Sequence, residues 1–153
     1  MKTRKEYQKT YTAARWTLLI ATVVSVVNLV WVLIDKSFEF IACLAIPEVL
    51  ALVEIALYSV QAPLFWQIVL VAVIVLLLLV YFLSWQFAKT KSRWMAIGGI
   101  LFVVDYVFRL YLLAMDLMGG REDLGIILLR ILIPTVGLVL VVRGLIARKK
   151  TAN

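Results

Sequence analysis

Six polar side chains stand where their neighbours are almost all apolar: Asn28, Glu48, Glu54, Asp105, Arg109 and Arg130. Acids and arginines in such surroundings can bind an ion, carry protons or hold a charged ligand. Equally, they can neutralise one another and lock elements together. Asp105, Arg109, Leu112 and Asp116 follow i, i+4, i+7 spacing, so on a helix they share one stripe. Thr17, Ala21, Ser25, Asn28 and Asp35 form a second stripe, of small and polar residues, and Arg130, Pro134 and Gly137 a third. Small residues let helices approach closely, and polar ones bond between them. The three stripes are therefore expected to face one another. A structural pairing would join Asp105 to Arg109 along the helix and Arg130 to Glu48 or Glu54. The functional alternative, with four acids against two arginines, is a site for protons, cations or an amine headgroup.

Other chemistries are closed by what the chain lacks. It has no histidine, and Cys43 is its one cysteine. A structural zinc site takes about four Cys or His ligands; a disulfide needs a second cysteine; thiol catalysis would lack its usual histidine base. Cys43 reads as a small buried hydrophobe. A carboxylate pair can supply acid–base chemistry, but no nucleophile, phosphate-binding motif or metal set accompanies it. The expectation is a protein without enzymatic activity and without a cofactor.

The elements that must position these residues are set by solvent. Of 153 residues, 65% are hydrophobic, against about 45–50% in soluble domains. A water-soluble fold this small cannot hide so much apolar surface, so lipid must be the solvent for most of it. Four apolar runs approach the roughly 20 residues that cross about 30 Å of hydrocarbon: Trp16 to Ile34, Leu64 to Phe87, Trp94 to Leu117, and Gly125 to Val142. Trp16, Trp31, Phe65, Trp66, Trp85, Phe87 and Trp94 stand near their ends, as interfacial aromatics do. Period-2 alternation is absent, which excludes a barrel. The first run is longer than a signal h-region and lacks a small-x-small cleavage site, so it is expected to span. The tails, Met1 to Thr12 and Lys149 to Asn153, are expected to be solvated, including as helix extensions.

Residues 37–60 form the ambiguous segment, long enough to span but holding Glu39, Glu48 and Glu54 and split by Pro47. Basic residues decide its course. They cluster at Lys2, Arg4, Lys5, Lys9 and Arg15; at Lys89, Lys91 and Arg93; and at Arg143, Arg148, Lys149 and Lys150. If 37–60 does not cross, these twelve share the cytoplasmic side and only Lys36 and Arg121 face outward. If it crosses, about six lie inside and eight outside, against the positive-inside rule. Four spans with both termini cytoplasmic follow, as a four-helix bundle in the cell membrane. The extra helical element between spans one and two is re-entrant or interfacial. Glu48 and Glu54 lie about 120° apart on a helix, so no clean polar face forms, and a re-entrant or steeply tilted course is favoured over a surface helix. Pro47 would end a descending piece, Phe38 to Ile46, and start the returning helix in its first turn.

Depth gives a second constraint. At 1.5 Å per residue, Asn28 lies about 9 Å below the outer end of its helix. Arg130 stands at a similar depth, Arg109 slightly deeper and Asp105 near the middle. The polar groups are thus expected to gather in the outer half of the bilayer. The second span carries no charge and reads as an outer wall. Pro134 is expected to be a tolerated kink, and Gly119-Gly120 to end a helix. The net charge of +7 lies at span ends, the placement of lipid anchors. Nucleic acid is therefore not an expected partner; the bilayer, a second copy of the chain or another membrane protein is.

Several landmarks resemble a family of small four-span membrane proteins of Gram-positive bacteria. They are Ala14-Arg15-Trp16-Thr17, Asn28, Phe38 to Pro47, Leu101-Phe102-Val103-Val104-Asp105 and Arg143-Gly144. The resemblance runs over most of the chain and implies the four-span topology. In that family the last span carries a histidine, which this chain lacks, and no activity comes with the likeness. The functional expectation is a non-enzymatic accessory, sensor or envelope-homeostasis component; the alternative is a small oligomeric transporter or channel that couples ions through Asp105, Glu48 and Glu54. The absence of duplicated halves and the shortness of the chain weigh against the alternative.

Overall fold

The computed structural model describes residues 4–34, 44–119 and 124–152. Among these the chain is five helices and no strand: α1 (Arg4–Ile34), α2 (Ala45–Ser59), α3 (Leu64–Phe87), α4 (Ser92–Gly119) and α5 (Leu124–Ala152). All but α2 are long and apolar enough to cross a membrane. The four expected runs coincide with them. Helix α1 begins twelve residues before the expected span at Trp16, because Tyr11 and Ala14 on its polar extension are buried against the rest of the bundle. The segment 35–43, with Asp35, Glu39, Cys43 and most of the expected descending piece Phe38 to Ile46, lies outside the described residues.

The long helices close a ring in which α1 packs on α5 and α3, and α4 on α3 and α5; α1 against α5 is the most extensive pairing. Helix α2 packs on α3, α4 and α1. Leu18, Met95, Phe102 and Val141 make the core. Outward faces stay apolar: Ile20 and Val27 on α1, Ile68 and Leu76 on α3, Val107 on α4 and Leu132 on α5 are all exposed. Surfaces this continuous are not found on soluble monomers, and the chain is therefore read as a multi-pass membrane protein. Helix α3 is the least buried of the four, in keeping with an outer wall, although it also buries Tyr81 and Ser84.

Helix ends show what ties the ring. A helix leaves its last carbonyls without intrahelical donors. At the C-terminus of α3 the Tyr11 hydroxyl donates to the Ala88 carbonyl (2.8 Å), and the Arg15 guanidinium donates to the Trp85 carbonyl (3.1 and 3.3 Å). A cation there also suits the negative end of the helix dipole. These bonds place the start of α1 and the α3–α4 turn at one end of the bundle, called here the near end. Trp16 and Phe82 pack tilted against Trp85 beside them. At the other, far end, α2 stops in a Schellman turn: Ala62 N–H donates to the Leu57 carbonyl (2.9 Å) and Gln61 N–H to Tyr58 (3.1 Å). Gln61 takes the left-handed conformation this requires (φ 52°), and Pro63 then opens α3.

Close approaches set the helix spacing. A Cβ on Gly98 would stand 2.7 Å from Ser84 Cβ, so α3 and α4 meet through two small residues. The Ser84 hydroxyl has no hydrogen-bond partner among the described residues; serine serves there by its size. A Cβ on Gly144 would overlap that of Ala14, where α5 crosses α1.

Candidate functional site

The site is built around the start of α2. A helix opens with N–H groups that have no intrahelical acceptor, and away from water each needs another. Here each is accounted for, three of them by the surrounding bundle. Leu44 N–H donates to Ser25 Oγ of α1 at 2.7 Å. Ala45 N–H and Ile46 N–H donate to Asp105 Oδ2 and Oδ1 of α4, both at 2.9 Å. Pro47 has no N–H to satisfy, and Glu48 N–H already reaches the Leu44 carbonyl (3.4 Å). Leu44 itself provides no side-chain cap. The capping groups come from two other helices, and the Asp105 charge faces the positive end of the α2 dipole.

Position along the bundle matters as much as bonding. Counting 1.5 Å per residue, Asp105 lies about 20 Å from Ser92, and Ser25 about 21 Å from Tyr11. The start of α2 is therefore well inside the length of the long helices. Asp105, Ser25 and Asn28 are 5%, 1% and 1% exposed.

One turn beyond Asp105, Arg109 Nη2 stands 3.6 Å from Glu48 Oε2, with the two side chains 7% and 16% exposed. This pair joins two of the expected residues in a combination the sequence did not single out. Both oxygens of Asp105 accept backbone amides of α2, and Glu48 pairs with Arg109.

Two cavities flank this junction. The first, of about 110 Å³, lies where the three expected stripes meet: Thr17 and Ala21 of α1, Phe102 and Asp105 of α4, and Pro134 and Gly137 of α5. Its walls are largely apolar. The second, of about 200 Å³, lies between α2, α4 and α5 and collects Glu48, Arg109 and Arg130, with Leu52, Leu112 and Leu113 around them. Asp105 lines the first and Ala45 the second. Ala45 N–H donates to Asp105 between them. No family model, curated protein or solved structure matches this chain.

The remaining expected residues divide. Asn28 is buried three residues beyond Ser25 on the same stripe. Glu54 is half-buried on α2 and lines neither cavity. Asp35 and the side chain of Asp116 lie outside what is described. Two features went unread in the sequence. Tyr81 of α3, a polar-tipped side chain in the uncharged span, is 2% exposed. Thr135, next to Pro134, donates to the Ile131 carbonyl (2.6 Å), so its oxygen accepts the Tyr106 hydroxyl (2.7 Å) and ties α5 to α4 beside the proline.

Proposed function

We propose that this chain is a non-enzymatic component of the cell membrane, an accessory or sensory protein of envelope homeostasis. Four spans would hold a re-entrant helix, α2, that rises from mid-bilayer to the outer face. The observation that carries the reading is the complete satisfaction of the α2 N-terminus by Ser25 and Asp105. Backbone that starts inside hydrocarbon must be covered by protein or water, and this chain supplies that cover from two of its spans. A carboxylate whose two oxygens are both engaged by buried amides is a fastener. Its use disfavours the transporter alternative, in which Asp105 would have to exchange protons or ions freely. The buried charge network in the outer half of the bilayer, Glu48 with Arg109 and Arg130, then holds α2 against α4 and borders a cavity open to a ligand. The positive-inside distribution supports cytoplasmic termini.

Two measurements test this. In a variant with Cys43 replaced by Ser, single cysteines at Lys89, Lys91 and Gln61 are challenged with a membrane-impermeant maleimide on intact cells. Gln61 should label, and Lys89 and Lys91 only after permeabilisation; labelling of the 89–91 turn from outside would reverse the orientation. Proteoliposomes of the unmodified protein are expected to pass protons and sodium no faster than protein-free vesicles. Flux that is lost in a stably folded Asp105→Asn variant would establish the transporter reading instead.

A further inference from the structure

We propose that the cavity of about 110 Å³ between α1, α4 and α5 binds an apolar guest drawn from the bilayer, an alkyl chain end or a small hydrocarbon. The inference rests on the membrane-spanning reading of the long helices and gives the sensory reading above a ligand class. It is indifferent to which end of the bundle faces the cytoplasm. Wall chemistry is the first argument. Ile20, Val24, Phe102 and Ile133 supply apolar surface. The polar side chains of the described lining already have partners. Thr17 donates to the Ala13 carbonyl, the Tyr106 hydroxyl bonds to that of Thr135, and both Asp105 oxygens accept α2 amides. A water held in a cavity needs about two to four polar partners, so these walls favour hydrocarbon over water.

Access, depth and size narrow the guest further. Ile20 of α1 and Ile133 of α5 line the cavity and are 59% and 44% exposed, so it reaches the apolar outer surface of the bundle there. Counting 1.5 Å per residue, Ile20 lies about 14 Å from Tyr11, and Ile133 about 17 Å from Gly144. Both distances are close to half of the roughly 30 Å of hydrocarbon, a depth that chain ends reach and headgroups do not. An engineered apolar cavity of about 150 Å³ stays dry and binds benzene or xenon; this one is about three-quarters that size. It admits a chain end or one small ring and excludes a whole lipid. Moving such a guest out of lipid brings no hydrophobic gain, so dispersion contact with close walls must hold it. Leu44 and Asp105 belong to those walls, and the guest therefore sits against the residues that hold the start of α2.

The test reads the thermal midpoint of the full chain in a fluorinated detergent, whose chains mix poorly with hydrocarbon. Benzene dosed through the vapour should raise the midpoint saturably, by about 3 °C or more at tenfold excess over its Kd. Ala21→Leu places a longer side chain in the cavity from α1 and should lose most of that shift. Val24→Phe fills the same space from one turn further on, and serves where Ala21→Leu does not fold. A second titration in dodecyl maltoside, at the same benzene vapour pressure, separates the two sources of guest. A smaller shift there supports the site and identifies a competing chain end as its occupant; an unchanged shift supports it and identifies a small free solute. No saturable shift in the unmodified protein, or a shift that the filled variants retain, overturns the proposal. A silent cavity in a protein whose 89–91 turn labels only after permeabilisation removes the guest and leaves the topology standing. A normal shift with that turn labelling from outside does the reverse.

Discussion

Replacing Asp105 by alanine should lower the thermal midpoint of the detergent-solubilised protein by about 10 °C, and it should do so without any ligand present. The variant removes the acceptor for two backbone donors, Ala45 N–H and Ile46 N–H. Both sit beside a carboxylate that is 5% exposed, so water does not readily replace it. A buried donor left without an acceptor costs about 1–3 kcal/mol, and two cost about 2–6 kcal/mol. At the 2–4 °C per kcal/mol typical of a chain of this size, the middle of that range corresponds to about 10 °C. Loss of a negative charge at the α2 N-terminus adds a little more. Asp105→Asn should be intermediate, since one carbonyl oxygen remains while its amide group meets an amide donor head-on. Ser25→Ala removes one acceptor only and should cost about half as much as the alanine change at 105. The two should not be additive, because releasing either end of Leu44–Ile46 lets the same turn of α2 fray. An Asp105→Ala protein that melts with the parent would mean that water or another group caps α2, and the fastening role would be lost.

That prediction depends on something sequence spacing cannot express. Asp105 was identifiable as a buried acid because the apolar residues around it make an exposed charge untenable. Its partner was not, because the i, i+4 rule points to side chains and the acceptors here serve backbone amides, which every residue but proline carries. The one local sign was Pro47, which belongs in the first turn of a helix; in the structure it is the third helical residue, two after Ala45. The spans themselves were legible for a simple reason. Hydrocarbon demands about 20 apolar residues per crossing, and Leu64–Phe87 matches to the residue. Residues 4–12 continue α1 as the expected helix extension; what hydropathy does not show is that this polar stretch packs through Tyr11, and Ala14 just beyond it, at the near end. Glu54 was grouped with Glu48 by charge and element alone, and a helix turns the two away from each other. Pattern shows which residues must avoid lipid, while packing decides which of them meet.

Ala14 and Gly144 were noted only as landmarks of the family likeness, and the bundle gives them a mechanical task. They face each other in the α1–α5 pairing, the largest in the molecule, with Ala14 fully buried. A Cβ on Gly144 would overlap Ala14 Cβ. Neither methyl has a rotamer to escape into, and carbon atoms rest about 3.5–4.0 Å apart, so the helices must separate by roughly 1 Å. Overpacking of this kind costs about 1–3 kcal/mol, occasionally more. Opposing it, alanine is a better helix residue than glycine by about 0.8–1.0 kcal/mol. The packing loss wins at most of that range, since separating two long helices also loosens Thr17 and Gly137 farther along the same seam. Gly144→Ala should therefore lower the midpoint by several degrees, and Gly144→Leu should leave little folded protein. The reciprocal swap, Gly144→Ala with Ala14→Gly, keeps one methyl at the crossing, and its two propensity changes cancel. It should recover most of the parent stability, with a coupling energy of about 1–3 kcal/mol in the double-mutant cycle. Additive losses in that cycle, or a Gly144→Ala protein as stable as the parent, would show that α1 and α5 do not meet at this pair.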